Sequence, residues 1–225
     1  MMLPDINADF HARIVVATDR LPWEASPSGT VWRKPLYREG GEYGPVTSLV
    51  RYAAGGHFRP HAHPQGEEIL VLEGVFSDEY GDYPAGTYLL NPDGSEHAPF
   101  SRTGCTLFVR LRQYAGSGRP RLRLNPSALA WQPGPVPGAT LKPLYAQAGY
   151  PEQMALVRHE PGARLPSMAF PEGGELLVLE GALEDEEGAY PSGIWLRFPP
   201  RYRHTPFSQE GCVYYRRLGG LRPAI

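Results

Sequence analysis

Two stretches of this chain are near copies of each other: EEILVLEGVFSDEYGDYPAGTY at residues 67–88 and ELLVLEGALEDEEGAYPSGIW at residues 175–195. They align at a constant offset of 107 residues. The alignment runs without a gap between residues 43–111 and 150–218, with roughly 30 of 69 positions identical. Identity at this level over a fixed period indicates an internal duplication.

The duplication predicts two domains in tandem. Further upstream the offset becomes 108, where the tetrapeptide KPLY at 34–37 recurs at 142–145. Each copy is long enough to bury a core of its own. One larger barrel made of two halves is the alternative. We expect the following boundaries: an N-terminal arm at 1–20, a first domain at 21–115, a connector at 116–128 and a second domain at 129–225.

Each copy reads as a set of short strands. Apolar or alternating runs such as SLVRYAA, EEILVLEG and CTLFVRLRQY are bounded by Gly, Pro and Asp, a pattern typical of all-β sandwiches and barrels. The 26 glycines and 25 prolines among 225 residues fit this reading, because many of them fall at turns that occur in both copies. The single candidate helix lies around residues 8–17.

Charge and composition exclude several functions. The net charge is −2, and the pI is near 6.4, so there is no electrostatic case for nucleic acid or an anionic membrane. No membrane span or secretory signal is evident, and we expect a soluble, cytoplasmic protein. Two cysteines are too few for a disulfide scaffold, and both Cys105 and Cys212 read as buried hydrophobes.

A group of candidate metal ligands occurs in the first copy. His61 and His63 alternate on one face of a strand, and Glu67 keeps the same parity after a turn. His97 would supply a third imidazole if its strand packs against theirs. Three imidazoles and one carboxylate suit zinc, iron, manganese, nickel or copper. Two exposed surface histidines are the alternative reading.

Comparison with the second copy distinguishes the candidate metal ligands from residues that maintain the fold. His61, His63 and Glu67 become Met168, Phe170 and Gly174, whereas the flanking glycines and prolines persist. Joint loss on a retained framework favours a metal site present in one copy only. Glu68 persists as Glu175, which indicates a structural role. His97 persists as His204, which we expect to be a hydrogen-bonded core or rim histidine. Met168 and Phe170 are expected to fill an apolar cavity, and an apolar small-molecule pocket is the alternative.

The spacings resemble the cupin superfamily. Gly55-x5-His61-x-His63-x3-Glu67-x6-Gly74 is similar to the first cupin motif. Gly86-x5-Pro92-x-Gly94-x2-His97-x3-Ser101 is similar to the second. The resemblance covers both copies and implies a bicupin, two tandem double-stranded β-helix (jelly-roll) barrels.

The closer resemblance is to the cupin domain of ChrR-type anti-sigma factors, carried by GEEILVLEGVFSDEYGDYPAGTYLLNP and SEHAPFSRTGCTLFVRLRQ. It implies that His61, His63, Glu67 and His97 bind one divalent metal, zinc first, with iron, manganese or nickel as alternatives. Family regulators carry a separate helical sigma-binding domain, and only about 20 residues precede the cupin unit here. We therefore expect a regulatory or sensory module in a transcriptional stress response, without its own sigma-binding domain.

Two other functions are alternatives to the regulatory role. A metal-dependent dioxygenase or hydrolase could act on a small molecule such as a diketone or phenolic ketone at the metal pocket, since such a ligand set can leave open coordination positions. A storage-type bicupin with vestigial metal binding is the third. Catalytic residues, a protein partner in a sigma-factor system, and the choice between monomer and homodimer are not settled by the sequence.

Two charged groups read as solvent-facing. Asp78-Glu79 and the acidic run at 184–187 precede glycines and predict hairpin tips. Arg119, Arg121 and Arg123 alternate along the connector, which predicts a linker strand exposed to water.

Overall fold

The computed structural model describes residues 3–134 and 136–221. Strands dominate it, and in this described part the helices are three short 3-10 turns: Thr18–Arg20, Gly41–Tyr43 and Pro126–Ala128. No helix in the described ranges is long and apolar enough to cross a membrane. The expected all-β class is confirmed, and the chain folds as two tandem cupin barrels.

The first compact unit comprises, among the described residues, 3–8 and 21–128. Numbered along the chain, its strands are β2 (Glu24–Ala25), β3 (Val31–Arg38), β4 (Val46–Tyr52), β5 (Gly56–His57), β6 (His61–His63), β7 (Glu67–Asp78), β8 (Gly81–Pro84), β9 (Tyr88–Asn91), β10 (Ser95–His97), β11 (Phe100–Ser101), β12 (Cys105–Leu111) and β13 (Leu122–Leu124). The main sheet runs in the order β13-β9-β7-β12-β4-β3-β2, and β6 and β10 form a separate pair.

The second compact unit comprises, among the described residues, 9–20, 129–134 and 136–221. Its strands are β1 (Ile14–Ala17), β14 (Gln132–Pro133), β15 (Ala139–Ala146), β16 (Gln153–His159), β17 (Ala163–Arg164), β18 (Met168–Phe170), β19 (Gly174–Asp185), β20 (Gly188–Pro191), β21 (Ile194–Phe198), β22 (Tyr202–His204), β23 (Phe207–Ser208) and β24 (Cys212–Leu218). The order β1-β21-β19-β24-β16-β15-β14 repeats that of the first unit, and β18 pairs with β22 as β6 pairs with β10.

A close backbone contact explains one glycine that both copies keep. Gly74 has a positive φ of 71°, and a Cβ there would lie 2.1 Å from the carbonyl oxygen of Gly104. Gly181 repeats this arrangement, with φ of 66° and 2.1 Å to the oxygen of Gly211. Each glycine sits where β7 or β19 shifts register against its neighbour, so a side chain would separate the two strands.

Each repeat is preceded in the chain by a strand, its leading strand, that joins the sheet of the other unit. The leading strands are β1 for the first repeat and β13 for the second. β1 pairs with β21 of the second unit, whereas β13 pairs with β9 of the first. The expected arm at 1–20 is thus divided between the units, and the expected connector at 116–128 belongs to the first. The helix expected around residues 8–17 is wrong. The β-branched run Ile14-Val15-Val16 suits a strand and gains a ladder of pairs from β21.

Each barrel encloses its own apolar core. In the first barrel the core includes Ile69, Val71, Leu89 and Leu107. The equivalent core of the second barrel contains Leu176, Val178, Leu196 and Tyr214. Cys105 and Cys212 are buried in these cores as expected, and burial raises the pKa of the Cys105 thiol to about 11, so the thiol stays protonated at neutral pH.

Candidate metal centre

The pairing of β6 with β10 gathers three histidines. His61 lies directly opposite His97, and His63 lies opposite Ser95 in the antiparallel register. Residues at i and i+2 share a face with the residue opposite, so all three imidazoles project to one side. One nitrogen from each of them falls within 4.8 Å of the others, and this triad could hold a metal ion.

Glu67 enters the same cluster from the start of β7. Its Oε2 lies 3.4 Å from His63 Nε2 and 3.5 Å from His97 Nε2. His63, Glu67 and His97 are buried, whereas His61 is exposed. The structure therefore brings together all four side chains singled out from the sequence, and the cluster has one water-facing side.

The chemistry of these atoms fits a divalent cation. His63 Nε2 and His97 Nε2 are buried and have no hydrogen-bond partner among the residues that the structure describes, which is costly unless something else satisfies them. Burial lowers the pKa of His63 to about 4, with smaller opposing and reinforcing effects from Glu67 and from His97, so its imidazole is neutral at pH 7. A neutral imidazole is the form that ligates metals.

Asp78 holds the ring of His97 from behind. Its Oδ2 lies 3.3 Å from His97 Nδ1, and its Oδ1 accepts hydrogen bonds from the hydroxyl of Tyr83 at 2.8 Å and the amide of Tyr80 at 2.9 Å. Burial raises the pKa of Asp78, but these hydrogen bonds outweigh it and leave the pKa below its usual value. This leaves His97 Nε2 facing the cluster. The prediction of an exposed hairpin tip is wrong for Asp78, because Asp78 is buried.

Arg123 supports the cluster from the strand expected to be a solvent-facing linker. It donates from Nη2 to Asn91 Oδ1 at 2.8 Å, and Asn91 Nδ2 donates to Glu67 Oε2 at 2.8 Å. The same Nη2 lies 3.5 Å from Asp78 Oδ2. The linker prediction is therefore wrong for Arg123, which braces both the Glu67 and the His97 sides. It is also wrong for Arg119, whose side chain is buried.

A cavity of about 160 Å³ opens beside the cluster. His61, His63 and Glu67 contribute to its wall. The remaining wall combines aromatic, aliphatic and cationic side chains: Tyr52, Phe58, Phe76, Val50, Ile69, Leu107, Val109, Leu111, Arg33 and Arg112. The cavity is below the roughly 300–1,000 Å³ of drug-sized pockets, so it suits a small molecule.

The second barrel is filled where the first is open. Phe170 stacks on Phe198 with ring centroids 4.5 Å apart, and a Cβ on Gly174 would lie 2.5 Å from the Phe170 ring. The phenyl ring therefore occupies the space that the Glu67 side chain uses in the first barrel. The remaining cavity, lined in part by Met168, is about 10 Å³. The prediction that Phe170 fills an apolar cavity is confirmed.

The second barrel nevertheless keeps the histidine's support. His204 Nδ1 lies 3.2 Å from Asp185 Oδ2, and Tyr190 donates to Asp185 Oδ1 at 2.6 Å. Arg13 lies 3.4 Å from the same carboxylate and also bonds the Tyr190 hydroxyl. His204 is thus a hydrogen-bonded core histidine, as expected. Asp185 is buried, so the exposed-tip prediction fails for Asp185 as it does for Asp78.

Sequence reasoning missed five side chains around the site, and the repeat itself held the signal. Four of them, like the ligands, change between the copies: Tyr52 to His159, Asn91 to Phe198, Arg33 to Leu141 and Arg112 to Gly219. Arg123 has no such signal, because its contacts depend on a strand pairing that no local pattern encodes.

The chain belongs to the ChrR Cupin-like domain family, which matches residues 11–115 and 119–222. The two matched segments cover both repeats, including their leading strands. The expected cupin and ChrR-like assignment is confirmed. A search of curated protein sequences finds no match to this chain.

Solved structures share the fold at low sequence identity. A proposed dioxygenase from Nostoc punctiforme has a TM-score of 0.79 and 14% identity, covering 95% of this chain and 85% of that one. A bacterial pirin in complex with nickel(II) from Escherichia coli has a TM-score of 0.70 and 11% identity, covering 92% and 99%. A cupin 2 conserved barrel domain protein from Leptotrichia buccalis has a TM-score of 0.63 and 14% identity, covering 95% and 99%.

Proposed function

We propose that the first barrel binds one divalent metal ion through His61, His63, Glu67 and His97, with zinc the first candidate. The main support is that the buried Nε2 atoms of His63 and His97 lie beside a buried carboxylate and have no hydrogen-bond partner within residues 3–134 and 136–221. Nitrogen and carboxylate donors of this kind suit zinc, iron, manganese and nickel. A bound ion would supply Lewis acidity, or redox chemistry in the case of iron, at the cavity wall.

Metal content tests this assignment directly. Protein purified without added metal should carry about one ion per chain by elemental analysis, and His61→Ala should reduce that content strongly because few bonds share the binding free energy. His57→Ala is the matched control, since His57 is exposed on the neighbouring β5 and lies outside the cluster. Unchanged metal content in His61→Ala would contradict the proposed ligand set.

We propose that the metal centre serves a regulatory or sensory module, in which the state of the metal site reports a small-molecule signal. Membership in the ChrR Cupin-like family supports this role. On this proposal the ion is zinc, and no small molecule is turned over. A sigma-factor system is the proposed partner.

A metal-dependent dioxygenase or hydrolase is the second candidate, favoured by the cavity of about 160 Å³ beside the histidines. The cavity gives a small molecule access to the water-facing side of the cluster. The fold shared with a proposed dioxygenase is compatible with this candidate. Iron in the purified protein, with oxygen uptake on a diketone or phenolic ketone, would support it and contradict the purely sensory role. Zinc without oxygen uptake would contradict the dioxygenase.

A further inference from the structure

Two arginines line the cavity of the first barrel and vanish from the second. Arg33 lies on β3, and Arg112 follows the last residue of β12. At the equivalent positions the second copy has Leu141 and Gly219. The two positive charges are thus lost together with the metal ligands, which ties them to the use of the cavity rather than to the barrel framework.

Arg33 is held over an aromatic ring and has no anionic partner. Its Cζ lies 5.6 Å from the centroid of the Phe58 ring. Within residues 3–134 and 136–221 it forms no ion pair with a carboxylate. A guanidinium held over a ring at the wall of a cavity is well positioned to donate hydrogen bonds to a planar anion.

Arg112 has a backbone conformation that is unfavourable for residues other than glycine. Its φ is 59°, in the left-handed region where glycine is usual, and the second copy has Gly219 there with φ of 70°. The Arg112 amide donates to the Gly66 carbonyl at 3.0 Å, so the turn fixes this conformation. A bulky side chain kept at such a position in one copy only indicates a task for its side chain.

The rest of the cavity wall suits the part of a small organic molecule that does not contact the two arginines. Tyr52 belongs to the wall, and its ring meets the Phe58 ring edge to face with centroids 5.7 Å apart. Val50, Ile69 and Leu107 supply apolar surface. Two cations beside an apolar patch together match a small carboxylate with a short carbon chain.

We propose that the cavity of the first barrel takes a small organic carboxylate, whose anionic group is held by Arg33 and Arg112 beside the metal. This inference rests on the proposed metal centre and narrows its ligand from neutral diketones to anions. An arginine–carboxylate contact in a partly closed cavity is a charge-assisted hydrogen bond of the stronger kind.

Cobalt-loaded full-length protein provides a readout that does not require turnover. Pyruvate and its neutral isostere pyruvamide are titrated while the visible absorption bands of the cobalt centre are followed. Wild-type protein should bind pyruvate at least about tenfold more tightly than pyruvamide. Arg33→Leu and Arg112→Gly, which copy the second barrel, should each weaken pyruvate binding by about tenfold or more and leave pyruvamide binding unchanged. Arg33→Lys should recover part of the loss.

Arg59→Leu is the control, because Arg59 is an exposed arginine of the adjoining groove and is not part of the cavity wall. It should bind pyruvate as wild type does. Equal binding of pyruvate and pyruvamide, or a pyruvate affinity within twofold of wild type in Arg33→Leu, overturns the carboxylate proposal while cobalt stoichiometry stays at one. A wild-type chain that takes up no cobalt overturns the metal centre and the carboxylate proposal together.

Discussion

The two barrels share a framework and differ in what fills it. Both keep the strand order, the Gly74 and Gly181 backbone contacts, and a buried aspartate bonded to a histidine. The first barrel has a cavity of about 160 Å³ beside its histidines, whereas the second has about 10 Å³. The aspartate–histidine pair thus persists without the other ligands, so it belongs to the framework as much as to the site.

The largest expected effect comes from giving the first barrel the residues of the second. His63→Phe combined with Glu67→Gly should lower metal affinity by about a thousandfold or more, because two of four ligands are lost. The double variant should still fold, since Phe170 packs in this way against Gly174. Metal titration followed by elemental analysis measures the effect.

Phe170→Leu is the matched control in the second barrel, and its metal content should equal that of wild type. A double variant that retains wild-type metal affinity would show that the ion binds elsewhere, and the contrast between the barrels would lose its functional meaning.

The next effect concerns a buried histidine that the second barrel has where the first barrel has a tyrosine. Burial lowers the pKa of His159 to about 4, with smaller contributions from His204 and Arg216, and the first barrel has Tyr52 at this position. The unfolded chain takes up this proton below about pH 6.5 and the folded chain only near pH 4, so His159 makes stability fall as pH drops through this window. His159→Phe should remove about 2 kcal/mol of that loss between pH 7 and pH 4.5.

Urea unfolding of wild type and His159→Phe at pH 7 and pH 4.5 measures the difference. The variant loses the contact between His159 Nε2 and the Tyr214 hydroxyl, 3.1 Å apart, at both pH values, so only the change with pH reports the titration. Identical pH dependence of the two proteins would rule out His159 as the acid-sensitive group.

A smaller effect tests the filling of the second barrel. Gly174→Ala should destabilise the protein by about 2 kcal/mol, because its Cβ would meet the Phe170 ring at 2.5 Å and the Arg217 carbonyl at 2.9 Å. Adding Phe170→Leu should recover part of this loss, since a smaller side chain gives way. Thermal unfolding of the two variants decides the question, and an undisturbed Gly174→Ala protein would contradict the tight packing.

The smallest expected effect concerns the brace on the ligands. Arg123→Leu should weaken metal binding by roughly tenfold, since it removes support from Asn91 and Asp78 without removing a ligand. Arg121→Leu, two residues earlier in the chain and packed over Tyr80 instead, should leave metal affinity unchanged. Equal metal affinities in wild type, Arg123→Leu and Arg121→Leu would show that Arg123 does not support the metal site.

The internal duplication allowed most residues of the candidate site to be predicted from the sequence. Because the framework occurs twice, each retained glycine indicates a turn and each joint loss indicates a shared task, which singled out His61, His63 and Glu67. The strand period then predicted that His61 and His63 point together. The acidic residues before Gly81 and Gly188 were misread, because charge alone predicts exposure and does not reveal a buried histidine partner for Asp78.

The duplication, the all-β class and the positions of the candidate ligands could be read from the amino-acid sequence alone, because local periodicity and fixed spacing carry that information. The pairing of β1 with the second barrel and of β13 with the first emerges only in the folded chain, and with it the contacts of Arg123 in the first barrel and of Arg13 in the second. The physical reason is separation along the chain. Pairing Ile14 with Arg197 joins residues 183 positions apart, and its free energy comes from a sheet edge that exists only after folding.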